Sequence, residues 1–164
     1  MKSVAIFPGS FDPITLGHQD IVNRALTIFD CIIIGLAPSI KKRPFLSIKD
    51  RISLINKIYI KNSNIKIINI NELIIDFAKK NCVNFLIRGI RNNIDLIYEQ
   101  ELNQINYTLS NNIETIFFLA KPKYQIISST LIKEILLHKG NIKLFIDQRI
   151  ILMLKDIIKN NKLI

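Results

Sequence analysis

Cysteine, histidine and long apolar runs are all scarce in this chain. Among 164 residues there are two cysteines and two histidines. Cys31 sits inside the apolar run CIIIGLA and Cys82 follows a helix-like stretch. They form no motif, and two thiols in a reducing compartment is the expected reading. No Cys, His and carboxylate cluster has the spacing of a zinc site. No Cys-His or Ser-His-Asp arrangement marks a protein nucleophile. The apolar runs fall well short of the ~20 residues that a membrane helix needs. The opening MKSVAIFPGS turns polar too soon for a secretory leader. These absences lead us to expect a cytoplasmic protein with no membrane partner. No internal repeat or low-complexity linker breaks the chain, and 1–164 reads as a single domain.

Acidic residues are also few: 13, against 23 basic ones, for a net charge of +10. That balance favours anionic partners such as phosphorylated metabolites, nucleic acid or a membrane surface. The lysines, however, are spread along the whole length with no Arg-rich, aromatic-laced block, and the abundance of Ile, Asn and Lys reads as compositional drift. We expect no nucleic-acid partner.

What the chain does have is core: 49% of it is hydrophobic. Short β-branched runs at Ser3–Phe7, Cys31–Ala37, Ile65–Ile70, Val83–Ile87 and Ile113–Leu119 have the length of buried parallel strands. Helix-length segments alternate with them at Gly17–Phe29, Ile48–Tyr59, Glu72–Lys80, Asn93–Leu109, Ser129–Leu137 and Asp147–Lys159. This pattern predicts an α/β fold, a Rossmann-like open parallel five-stranded sheet with helices on both faces. Ligands of such sheets bind beyond the carboxyl ends of the strands.

Three strand ends carry polar groups. The first is PGSFDPITLGH, Pro8 to His18. Gly9 permits close approach, Asp12-Pro13 signals a turn, and Gly17-His18 opens a helix whose free N–H groups suit phosphate. Ser10 and His18 add donors. The second is LIRGIRN, where Arg88 and Arg91 flank Gly89, a spacing that lets two guanidiniums share one anion. The third is YQIISSTLIKE, where Ser128, Ser129 and Thr130 either cap a helix or present hydroxyls and N–H groups to phosphate. Taken together they describe a polyphosphate site.

GSFDPITLGH with ISSTLIKE resembles the nucleotidyltransferases that carry a T/HxGH signature and a later ISST-type motif. With KKRPF, IRGIRN and YEQEL in the same order, the chain is most similar in pattern to the bacterial phosphopantetheine adenylyltransferases, from Val4 to about Asp147. The resemblance implies a nucleotidyltransferase fold, ATP and 4′-phosphopantetheine as partners, magnesium brought with ATP, and a homohexamer. It implies that Ser10 touches both substrates' phosphates. Phe11 and His18 fall on the ATP side, His18 as stabiliser of the transition state. Lys42 and Arg88 hold the acceptor phosphate, and Ile74 contacts the pantetheine arm. Gly89, Ile90, Arg91 and Glu99 line the nucleotide, and Tyr124, Gln125, Ile126, Ile127, Ser128, Ser129 and Thr130 wrap adenine and triphosphate. Leu16 departs from the usual Asn, and Ile97 from a polar residue. Lys133 stands where some superfamily members have Arg and is left out of the site.

The implied nucleophile is itself a phosphate monoester, so the reaction needs positioning and charge control more than a strong base. Three rivals remain: adenylyl transfer to nicotinate mononucleotide, a nucleic-acid-binding module, and an inactive homologue. A class I aminoacyl-tRNA synthetase fragment shares the GH signature, but 164 residues leave no room for an anticodon domain.

Overall fold

The computed structural model describes residues 2–37 and 44–161. Within them five strands, β1 (Val4–Gly9), β2 (Cys31–Leu36), β3 (Ile65–Asn69), β4 (Phe85–Ile90) and β5 (Glu114–Leu119), form one parallel sheet in the order β3-β2-β1-β4-β5. Six helices connect and follow them: α1 (Leu16–Ala25), α2 (Ile48–Tyr59), α3 (Ile74–Lys80), α4 (Asn93–Leu109), α5 (Ser129–Leu137) and α6 (Gln148–Asn160). No helix among the described residues is long and apolar enough to cross a membrane.

Period-2 alternation along β1 divides the core. Ala5 and Phe7 belong to a large cluster with Val22 and Ala25 of α1, Leu54 and Ile55 of α2, Ile132 of α5 and Leu154 of α6. Ile6 joins a smaller one with Ile33, Leu86 and, from α3, Ile75 and Ala78. Helix starts are set locally. Ser47, Asn92, Ser128 and Asp147 each accept a bond from a backbone N–H in the first turn of α2, α4, α5 and α6.

Two strands run further than expected. β1 continues through Pro8 and Gly9, paired with Gly35 and Leu36 of β2. Its pairing with β4 stops earlier, at Ile6 with Leu86. Pro8 has no N–H to give, and its carbonyl accepts instead from Arg88 Nη1 at 3.3 Å. β4 extends through Arg88 to Ile90 because β5 pairs it that far. Conversely, α1 ends at Ala25, four residues short of the apolar pattern, in a turn whose Ile28 and Phe29 amides bond to the Ala25 carbonyl.

The chain leaves β1 toward β2 and β3, then returns to place β4 on the other side of β1. The connections after β1 and β4 therefore depart in opposite directions and leave a crevice between them. α1 lies close over β4: a Cβ on Gly89 would meet Ile21 Cδ1 at 2.4 Å.

Candidate active site

A cavity of about 260 Å³ opens at this switch point. Ser10, Phe11 and His18 line it from the β1–α1 side, and Arg88, Gly89, Arg91 and Glu99 from β4 and α4. Tyr124, Ile127, Ser128, Ser129 and Thr130 line it from the segment entering α5. The three polar strand ends thus converge. Other expected residues lie elsewhere. Ile90 is buried, Gln125 is exposed, and Ile126 is 72% exposed. Ile74 opens α3 against the smaller core cluster. Lys42 lies outside the described residues.

His18 occupies the third position of α1, and Thr15 is the N-cap. Together they make a capping box in which histidine takes the place usually filled by Glu or Gln. The Thr15 N–H donates to His18 Nδ1 at 3.1 Å, and the Thr15 hydroxyl lies 2.9 Å from the same nitrogen. The Thr15 oxygen in turn accepts from the His18 N–H at 3.4 Å. A backbone amide can only donate, so Nδ1 carries no proton and the neutral ring carries its hydrogen on Nε2. Burial, and then the charge of Arg91, lower the imidazole to about 4. The Phe11 ring meets it edge-on, with centroids 5.1 Å apart. His18 is therefore an oriented, uncharged N–H donor near neutral pH.

The arginines are held by carboxylates. Arg91 makes a two-pronged pair with Asp95, Nε to Oδ2 at 2.8 Å and Nη2 to Oδ1 at 3.0 Å, and its backbone N–H donates to Asp95 Oδ2. Burial pushes Asp95 up, but these bonds outweigh it and hold the carboxyl below its usual range. Arg88 Nε lies 3.1 Å from Glu99 Oε2, off-line for a hydrogen bond. Burial raises Glu99, and the opposing pull of Arg88 does not cancel it.

At α5 the alternatives divide by residue. Ser128 caps the helix by accepting from the Leu131 N–H. The Ser129 hydroxyl donates to the Pro13 carbonyl at 2.8 Å. What faces the cavity there is the start of a helix, with its positive dipole end. Sequence reasoning missed Thr15 and Asp95 at the cavity. Both had a local signal: a capping hydroxyl three residues before His18, and a carboxylate four residues after Arg91 on a helix. It also passed over Asp12, whose partners are far away in sequence.

Among the described residues no group of three or more His, Cys, Asp or Glu is placed to hold a metal ion. The cavity offers anion donors: an imidazole N–H, two guanidiniums and helix-start amides. That set suits a chain of phosphates at which two anionic reactants meet.

Comparison with known proteins gives the family. Residues 6–135 match the cytidylyltransferase-like family model. The chain is 45% identical over 155 residues to a phosphopantetheine adenylyltransferase of Vesicomyosocius okutanii, covering 94% of this chain and 98% of that one. It is 40% identical over 146 residues to one from Coxiella burnetii, covering 89% and 91%. It is 38% identical over 148 residues to one from Clostridium perfringens, covering 90% of each. A solved structure described as a nicotinate-nucleotide adenylyltransferase from Vibrio parahaemolyticus superposes with a TM-score of 0.71 at 18% identity, over 99% of this chain and 95% of that one, a likeness of fold. By motif, architecture and similarity alike, the chain belongs to the cytidylyltransferase-like family, among its phosphopantetheine adenylyltransferases.

Proposed function

We propose that this enzyme transfers the adenylyl group of ATP to 4′-phosphopantetheine, giving dephospho-coenzyme A and pyrophosphate in coenzyme A synthesis. An oxygen of the acceptor phosphate attacks the α-phosphorus of ATP in line. As that P–O bond forms, the bond from the α-phosphorus to the bridging oxygen breaks, and its electron pair leaves with pyrophosphate. The attacking group is already anionic, so no covalent enzyme intermediate is needed. The chain's work is to bring two anions together and stabilise the charge that grows on the α-phosphoryl oxygens.

The observation that carries this reading is the fixed tautomer of His18, whose Nε2–H serves the cavity where Arg88, Arg91 and the start of α5 meet. In our assignment His18 donates to an α-phosphoryl oxygen in the transition state. Arg88 and Lys42 hold the acceptor, with the incoming phosphate displacing Glu99 from Arg88. Arg91 and the amides at Ser129 and Thr130 hold the departing pyrophosphate. Ser10 lies between the two phosphates, Ile74 lies along the pantetheine arm, and Phe11 packs His18 in place. Magnesium enters as part of the substrate, the ATP–magnesium complex.

α4 supports the homohexamer. Ile94, Tyr98, Ile105 and Leu109 recur at helical spacing, and all four are exposed, Ile94 at 79%. An exposed apolar stripe of that length along one helix fits against other copies of the same chain. We place the enzyme in the cytoplasm, in keeping with its two free cysteines, Cys31 and Cys82.

The test is product analysis. ATP–magnesium and 4′-phosphopantetheine should give dephospho-coenzyme A and pyrophosphate, and nicotinate mononucleotide should give neither an adenylylated product nor pyrophosphate. His18→Ala should lower kcat by roughly 10²–10³, the usual loss for one aimed donor, with a much smaller change in ATP affinity by calorimetry. Near-normal turnover in that variant would remove His18 from the chemistry.

A further inference from the structure

We infer that Asp12 is a positioning residue for this reaction, its carboxylate joining the loop after β1, the approach to α2 and the body of α5 into one frame that sets how far apart the two substrates are held. Asp12 is only 4% exposed. Its Oδ1 accepts the Leu46 N–H at 2.8 Å, and its Oδ2 accepts the Phe45 N–H at 2.8 Å and Lys133 Nζ at 3.1 Å. Three segments, separated by 33 and 121 residues in sequence, therefore close on one side chain. Lys133 stands one turn beyond Thr130 on the helix assigned to the nucleotide. Phe45 closes the KKRPF run, whose Lys42 carries the acceptor assignment.

The residues around Asp12 are held in the same way. Arg51 of α2, itself 7% exposed, donates from Nη1 to the Ser10 carbonyl at 2.8 Å. The Ser129 hydroxyl grips the Pro13 carbonyl. Between Ser10 and Asp12, Phe11 adopts φ +46°, in the left-handed region that a side chain enters only when its surroundings over-determine it. The bonds at Ser10, Asp12 and Pro13 supply that over-determination. They hold the Phe11 ring against His18 at the cavity wall. Asp12 itself does not line the cavity. It acts through the groups that do, and a reaction run on positioning is sensitive to such a residue.

The catalytic readout rests on the substrate assignment above; a second readout does not. Asp12→Asn keeps the shape and one acceptor oxygen but loses the charge, and Lys133→Met removes only the cation. In the full chain, at a temperature where circular dichroism shows each variant folded, both should lower kcat about 10- to 100-fold while KM for ATP stays within about threefold. Lys133→Arg should restore most of the rate, and the double variant should be no worse than Asp12→Asn alone. Independently of activity, hydrogen exchange at the Phe45 and Leu46 amides should quicken in Lys133→Met, because the Lys133 ammonium bonds the carboxylate that holds them. Unchanged kcat and unchanged exchange in Lys133→Met would overturn the inference. So would a kcat loss that merely follows the unfolded fraction. A wild-type chain inactive on these substrates, with quickened exchange in Lys133→Met, would keep the frame and sink the substrate assignment. Inactivity with unchanged exchange would sink both.

Discussion

At the scale of the residue, His18 carries the sharpest consequence. Its imidazole is lowered from 6.5 to about 4 by burial and by Arg91. Between those two values the unfolded chain binds a proton that the folded chain refuses. Stability should therefore be complete above pH 6.5 and drain away as pH falls toward 4. The loss from this one group is at most about 3 kcal/mol, and less where the open cavity lets solvent reach the ring. Urea denaturation of the wild type and of His18→Gln across that range would show it as a pH dependence that the variant lacks. The same argument predicts that His18 itself contributes no break in kcat near pH 6.5, because the donor is already neutral there; any break in that range belongs to the substrate phosphates. His18 was legible from its place in TLGH. Its tautomer was not, since that follows from an amide three residues back pointing at the ring.

At the scale of the element, helix bounds were legible wherever the signal was local. Ile48–Tyr59, Asn93–Leu109 and Ser129–Leu137 have the ends expected of them, each just after a capping Ser or Asn. Strand ends were less so. β1 runs on through Pro8 and Gly9, and β4 outruns its apolar run, because pairing with β2 and β5 decides both. Gly89 shows the same dependence on partners. It was read as lining the nucleotide, but it also gives Ile21 of α1 room against β4. Gly89→Ala should cost about 1–3 kcal/mol by overpacking. Ile21→Val, which alone costs about 0.5–1.5 kcal/mol, should recover part of that loss in the double variant. Thermal or urea midpoints of the four proteins would establish the non-additivity, and simple additivity would mean that the helix shifts freely.

At the scale of the whole molecule, the alternation of short strands and helices was enough to predict the parallel sheet and the carboxyl ends of its strands as the place where three distant polar stretches would meet; which strands flank the switch point came from the strand order. Asp12 could not be read that way, for no spacing rule joins a carboxylate to an amide 33 residues on and an ammonium 121 residues on. The assembly is testable through α4. Ile105→Asp, at a side chain 57% exposed in the single chain, should leave the fold intact and shift the light-scattering mass from a multimer toward the monomer of 18.9 kDa. An unchanged mass would move the contact elsewhere.

The net charge of +10 does not lie bare at the cavity, because Asp95 already occupies Arg91 and Glu99 stands beside Arg88. Chloride or another weak anion gains little by competing with a carboxylate already in contact, whereas a multiply charged phosphate chain reaching several donors at once outbids it. The crevice is thereby self-shielded: it stays quiet in ordinary saline and reveals its cations only to the polyanions it is built to join.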